Sequence, residues 1–358
     1  MGENGQIPRL RVGEIVTLKD IANRAGVSVS TVSRIINSPD DSFATKAVRD
    51  RVWEIVKETG YIPNQAAREL KQKKKETRLM RTYTITCILG RTKTYEDNPF
   101  FAQVARAIEH QALSMGHAVA TSYSILDLDH PELIQRINSV QTDGAIILGR
   151  FNSRTYDFFT KHYKNIGYVG RNVIPENLDQ VICDGYEATK TAVQYLLDNG
   201  HRHIGYIGET VSEVRYQAFL DTLRENGLDC PVDLISRSTQ DGTGGYLGAR
   251  RLMETAKQLP TAVFCATDVS AIAAIRCFKE AGIKVPQQLS VISIDDIELA
   301  QYVSPMLTTV SMPKIEMGRI AVRTLIDRIN KVHKLPMKIL LPHKLIVRES
   351  TAKCLVQR

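Results

Sequence analysis

Apolar residues recur along this chain with two periods, and the change from one to the other divides it. Over roughly the first sixty residues the period is helical. Leu18, Ile21, Ala22 and Ala25 share one face of a short segment, and Val48, Val52, Ile55 and Val56 make an i, i+4, i+7, i+8 stripe in a longer one. Thr17 and Asp20 have the spacing of a helix N-cap with an acidic first turn. Gly26-Val27 supplies a turn, and Ser28 caps a second helix running to about Ile36. Thr45 starts a third helix and Gly60 ends it. From about Thr84 apolar runs of strand length alternate with helical segments. Strands are expected near 84–89, 118–123, 144–148, 166–169, 203–207, 261–265 and 289–294, with helices near 99–115, 130–138, 186–199, 212–226, 244–257, 268–281 and 313–330. That order predicts an α/β core of parallel sheets with ligands at the carboxyl ends of the strands, preceded by a small all-α head.

Two short helices about a glycine turn predict a helix-turn-helix, whose second helix lies in the DNA major groove, although ordinary helix pairs share this pattern. The exposed face of the second helix offers Val29, Ser30, Thr31, Ser33, Arg34 and Asn37, short polar groups and one cation suited to base edges and phosphates. The next segment, Tyr61-Ile-Pro-Asn-Gln-Ala-Ala-Arg-Glu-Leu-Lys71, permits a helix only after Pro63. A helix that short is unstable in water and orders when something binds it.

Charge sharpens this picture. The 358 residues carry 47 Lys+Arg and 39 Asp+Glu, net +8. Residues 1–82 hold 16 basic and 10 acidic side chains, a net of +6, so the remaining 276 carry only about +2. The excess includes Lys71, Lys73, Lys74, Lys75, Arg78 and Arg81, where DNA phosphates would lie. No apolar run has membrane-spanning length and the N-terminus lacks a signal-peptide core, so a cytoplasmic protein is expected. The six cysteines are scattered with no C-x-x-C, which predicts buried thiols rather than a disulfide or zinc framework. No metal and no cofactor is expected. G-x-S-x-G, H-E-x-x-H and P-loop motifs are missing, as is a Gly-rich dinucleotide loop after the first strand, so catalysis is not expected.

The chain closely resembles the LacI/GalR family of bacterial transcription regulators. The carrying residues are T-L-K-D-I-A-x-x-A-G-V-S-x-S-T-V-S-R at 17–34, Y-I-P-N at 61–64 and A-R-E-L-K at 67–71. Further markers are N-P-F-F at 98–101, T-D-G-A-I-I-L at 142–148, N-G-H-R-H-I-G-Y-I-G at 199–208, K-V-P-Q-Q-L-S-V-I-S-I-D-D at 284–296, P-M-L-T-T-V at 305–310 and E-M-G-R-x-A-V at 316–322. The resemblance implies that Val29, Ser30 and Arg34 read bases and that Thr17, Ser28, Thr31, Ser33, Asn37 and Asn64 hold phosphates. It implies a hinge helix over 64–72 in the minor groove, where Leu70, beside small residues including Ala67, wedges between base pairs; such a wedge kinks the duplex at a cost of a few kcal/mol.

The same resemblance implies a two-lobed core like that of periplasmic sugar-binding proteins, each lobe doubly wound, with the chain crossing between lobes near 182, 310–314 and 340. The expected organisation is a disordered extension over 1–15, a helix-turn-helix domain over 16–62, hinge and linker over 63–82, an effector-binding and dimerisation core over 83–350, and a tail over 351–358. Within the core, the N-lobe is expected over 83–182 and 314–340 and the C-lobe over 183–310 and 341–350.

A sugar needs charged groups for vicinal hydroxyls and an aromatic face for its C–H surface. Arg215 and Asp295 match the family's hydroxyl-clamping arginine and its acidic partner. Thr267-Asp268 stands where the family has Asn-Asp, with Asp268 read more readily as a helix cap. Phe100 or Phe101 would offer the aromatic face, and Arg171 and Asp184 sit at other strand ends, Asp184 also suiting a lobe-crossing turn. Arg215 and Asp295, with no evident excess of cations, suggest a neutral sugar effector, and the family resemblance, through Thr267-Asp268 and the N-P-F-F loop, leans towards a galactoside. A repressor released from a pseudo-palindromic operator is therefore expected, as a homodimer. A tail of eight residues without leucine heptads points away from a tetramer. The alternatives are a solute-binding protein of a sugar transport system and a corepressor-dependent regulator. A helix-turn-helix and the missing signal peptide oppose the first.

Overall fold

The computed structural model describes residues 16–37, 44–59, 83–92, 94–95 and 98–354. The expected extension, the hinge over 64–72 with Asn64, Ala67 and Leu70, and the basic run at 71–81 lie outside the described residues. The chain divides into two units, Met1–Leu79 and Met80–Arg358.

In the first unit three helices, α1 (Leu18–Ala25), α2 (Val29–Asn37) and α3 (Lys46–Thr59), share one small core. Thr17 and Asp20 form a reciprocal capping box at the start of α1, and Gly26 ends it in the left-handed conformation, φ 68°. Ser28 Oγ accepts from Thr31 N at 3.1 Å and so caps α2. Ile21, Ala22, Ala25, Val32, Ile35, Val52 and Ile55 are buried together. Arg51 ties α3 to α1 through the Ala25 carbonyl.

The second unit holds β1 (Thr84–Leu89), α4 (Pro99–Ser114), β2 (Ala118–Ser124), α5 (Pro131–Ser139), β3 (Gly144–Leu148), α6 (Ser153–His162), β4 (Ile166–Gly170) and β5 (Asp179–Cys183), which build one lobe. A second lobe follows with α7 (Gly185–Asp198), β6 (Ile204–Gly208), α8 (Val214–Glu225), β7 (Ile235–Arg237), α9 (Gly242–Thr255), β8 (Ala262–Cys265), α10 (Asp268–Glu280), β9 (Ser290–Asp295) and β10 (Thr308–Ser311). The chain then returns with α11 (Lys314–Ile329) and β11 (Lys338–Leu341) to the first sheet, and ends its regular structure with β12 (Lys344–Ile346) in the second. The sheet orders are β11-β5-β4-β3-β1-β2 and β12-β10-β9-β8-β6-β7, the same winding twice. All pairings are parallel except β10 with β12. Strands β3, β4, β6, β8 and β9 are buried throughout, as strands covered on both faces by helices must be.

Helix α6 and strands β5, β7, β10, β11 and β12 were not expected from the apolar pattern. Strand β5 shows why. Its first two residues are polar yet buried, because each is fully partnered. Asp179 receives the Arg328 guanidinium, His333 and the Met337 backbone N–H. The Gln180 amide closes on the backbone of Ile174. Hydrogen bonding, not apolar content, keeps these groups inside.

Among the described residues no helix is long and apolar enough to cross a membrane.

Candidate functional site

Two surfaces carry chemistry. On α2 the core-facing Val32 and Ile35 leave Val29, Ser30 and Arg34 exposed on the opposite side, with Thr31 and Ser33 half-buried between. Ser28 Oγ also lies 2.7 Å from Ser30 Oγ and 2.8 Å from Thr31 Oγ1, so the hydroxyls at the helix start form one connected group beside the N-terminal backbone amides. Thr17 is exposed at the start of α1, its hydroxyl donating to the Asp20 carboxylate, and Asn37 ends α2. The expected DNA-facing residues of 17–37 thus share one small helical unit.

The second surface lies where the strands of the two sheets end facing one another. In a doubly wound sheet the ligand site falls where strand order reverses, here between β1 and β3 in one lobe and between β6 and β8 in the other. Each of these places carries charge. Arg91 follows β1, Arg150 follows β3 and Arg171 follows β4, so three neighbouring strands each present an arginine immediately after a glycine. Glu209 follows Gly208 at the end of β6. Gly208, with φ 155° and a position where a Cβ would lie 2.6 Å from the Ala266 Cβ, admits no side chain.

Across the junction these groups pair. Arg91 forks onto Glu209, and Arg150 Nη2 reaches Glu209 at 3.2 Å and Glu213 at 3.0 Å. Arg171 lies 2.7 Å from Asp295, off the direction of a hydrogen bond. Arg215, 3% exposed, donates to both oxygens of Glu213, to the Ala266 carbonyl at 2.6 Å and to Gln240 at 2.5 Å. Burial opposes the Glu213 charge, but the adjacent Arg215 and Arg150 outweigh it and hold the carboxyl well below the usual range. The arginine expected to clamp hydroxyls is thus held by its own lobe. Grooves of about 750 and 630 Å³ open elsewhere on the second lobe, beside α8 and β7 and beside Ile283–Gln287.

Phe100 and Phe101 are both buried, on α4, and the Arg171 guanidinium stacks 4.1 Å from the Phe100 ring centre and 5.5 Å from that of Phe101. Both rings therefore serve the core and support a cation, where an open aromatic face was expected. Asp184 caps α7 by accepting from Tyr186 N at the first lobe crossing. Thr267 caps α10, so the cap expected at Asp268 belongs one residue earlier, on the extended backbone. Asp268 is instead fully buried and accepts from Ser293, Thr309 and the Ile297 backbone N–H. Asp295 and Asp296 have φ of 130° and 51°, conformations that cost about 1–3 kcal/mol each. Lys314 holds this turn, its ammonium donating to the carbonyls of Asp295, Asp296 and Met312.

Six participants were not foreseen: Arg91, Arg150, Glu209, Glu213, Gln240 and Lys314. A signal existed for the first three, the recurrence of strand, glycine, then charge at 90–91, 149–150, 170–171 and 208–209.

Burial and the neighbouring Asp295 carboxylate push Asp268 from the usual 3.8 up to about 7, against its three hydrogen bonds. The folded protein therefore keeps a proton that the unfolded chain has released, and loses stability as pH rises towards 7. Relative to Asp268→Asn, the wild type should lose about 3 kcal/mol of core stability between about pH 5 and about pH 8. Urea denaturation of both proteins at both pH values checks this; an unchanged gap would mean that the hydrogen bonds keep Asp268 ionised.

A helix-turn-helix unit with an exposed polar face, and a separate two-lobed core whose strand ends meet in a charged junction, define a DNA-binding regulator with a small-molecule sensor. The family model for bacterial regulatory proteins of the lacI family matches residues 17–64, and that for a periplasmic binding protein-like domain matches residues 193–351. A repressor of Yersinia pestis named HTH-type transcriptional repressor PurR is 32% identical over 346 residues, 94% of this chain and 97% of that protein. The structure of the transcriptional regulator CelR in complex with cellobiose is similar at 27% identity and TM-score 0.69, covering 94% of this chain and 99% of that one. A LacI family regulator of Enterococcus faecium with bound ribose is similar at 25% identity and TM-score 0.65, covering 76% and 99%. The chain belongs to the lacI family of bacterial regulatory proteins and is a DNA-binding transcriptional repressor.

Proposed function

We propose that the protein binds a pseudo-palindromic operator as a homodimer and that a polyhydroxylated small molecule, held between the lobes, sets its operator affinity. The observation that carries this reading is the junction itself. Arg91, Arg150 and Arg171 from one sheet meet Glu209, Glu213 and Asp295 from the other, at the strand ends where such folds take ligands. These ion pairs hold the lobes together, so a ligand that inserts must exchange them and change how the lobes close. The relatives with cellobiose and ribose support a carbohydrate as the class of effector. They lend no support to a galactoside, and that expectation is not carried forward. Val29, Ser30 and Arg34 are assigned to bases, and the hydroxyls of Thr17, Ser28, Thr31 and Ser33 to phosphates.

Coupling between two such sites amounts to about 1–3 kcal/mol, so a bound effector should change operator affinity about 5- to 150-fold while leaving non-specific DNA binding unaltered. Thermal-shift screening of the full chain against mono- and disaccharides, with cellobiose and ribose first, followed by operator titration with each hit, tests this. Tighter operator binding with the hit would identify a corepressor and weaker binding an inducer. An operator affinity indifferent to every ligand that binds the core would contradict the reading.

A further inference from the structure

We propose that the junction receives a polyhydroxylated molecule carrying an anionic oxygen group, which the arginines of the first lobe hold. This deepens the effector reading above and rests on it. The first lobe contributes chiefly donors. Arg91, Arg150 and Arg171 stand on the adjacent strands β1, β3 and β4, about 5 Å apart in the sheet, and the Tyr168 hydroxyl of β4 lies among them. Glu176 is the one carboxylate of the same lobe that acts on Tyr168, against three arginines. The carboxylates that pair with the three arginines, Glu209, Glu213 and Asp295, all come from the second lobe. When the lobes part, the arginines lose them. Glu213 does not become available in exchange, because Arg215 of its own lobe keeps both its oxygens.

Unpartnered atoms give the second argument. Arg171 Nε, the Tyr168 hydroxyl and Glu176 Oε2 are buried without a hydrogen-bond partner, and Arg171 Nη2 and Asp295 Oδ1 have only each other, 2.7 Å apart across the junction. Tyr168 is 1% exposed and the Arg171 side chain 9%. A buried donor left unmade is destabilising, and a buried charged donor more so. A carboxylate or phosphate, planar or tetrahedral, offers several acceptors to a guanidinium fork and a phenol together. Asp295 Oδ1 then takes a ligand hydroxyl from the other side. The site is thus polarised, with an acid end on the first lobe and a hydroxyl end on the second.

Probes that differ only in the acid group test this: glucose and galactose, each against its 6-phosphate and its uronate. Calorimetric titration of the full chain should show at least one anion binding about tenfold or more tightly than its neutral parent. Arg91→Gln and Arg171→Gln should each weaken that anion roughly ten- to hundredfold while changing the neutral parent little. Circular dichroism and the thermal unfolding midpoint without sugar report that each variant is folded; should buried Arg171→Gln fail there, the half-exposed Arg91→Gln decides. The proposal is overturned if the parent binds as tightly as its anions, if no anion binds, or if the variants keep full affinity. A neutral sugar that binds alone and shifts operator affinity would overturn it and leave the effector reading standing. Carboxylate and phosphate sources are separated by comparing the uronate with the 6-phosphate arm.

Discussion

Replacing Glu213 with Gln should lower the stability of the core by about 3–5 kcal/mol at neutral pH, because it leaves a buried guanidinium without its counter-charge. Glu213 has 1% of its side chain exposed and does three jobs. It caps α8 through Arg215 N, takes the Arg215 fork, and accepts Arg150 from the other lobe. Glutamine keeps one acceptor and loses the charge. Arg215 cannot respond by releasing a proton, since a guanidinium stays charged in proteins even without its partner. The Glu213 carboxyl is held below its usual 4.5, so its contribution is complete above about pH 4.5 and fades only in acid. Glu209→Gln is the matched control. Its side chain and that of Arg91 are each 29% exposed, and such a pair contributes about 0–1 kcal/mol. Urea denaturation of the two variants at pH 7 separates them. Equal small losses would mean that Arg215 is compensated by other groups.

Much of this architecture could be read from periodicity. Strands of continuous apolar character such as Gly144–Leu148 and helices of regular stripe such as Lys46–Thr59 announce themselves. Local caps were equally plain, and Thr17, Asp20 and Gly26 adopt the geometry their types favour. What escaped depends on partners distant in sequence. Asp179 is inside a strand because Arg328, 149 residues on, neutralises it. Arg171, Arg215 and Asp295 were visible as charges at strand ends, and the structure brings them to one junction with Asp268 and Thr267. Their partners were not visible. Glu213 reads as an ordinary first-turn acid until the fold places Arg150 against it, and Phe100 and Phe101 read as a ligand platform until Arg171 occupies it. The excess of cations on the first lobe was hidden for the same reason: along the sequence each arginine is balanced by acids that belong to the other lobe.

Arg34 is exposed on α2, opposite the buried Val32 and Ile35. An arginine bidentate to guanine contributes about 1–3 kcal/mol of discrimination, and a two-fold dimer makes the contact twice. Arg34→Ala should therefore weaken operator binding by about 2–6 kcal/mol while costing random DNA only a phosphate-scale loss, and the buried core of the unit, Ile21 to Ile55, does not include the residue. The decisive measurement is selection of a binding site from a random duplex pool by the full chain, then titration of that site and of random DNA with wild type and Arg34→Ala at one salt concentration. The account predicts a two-fold symmetric site and a specificity ratio that falls at least about tenfold in the variant. Selection of no sequence, or an Arg34→Ala protein with the wild-type ratio, would contradict it.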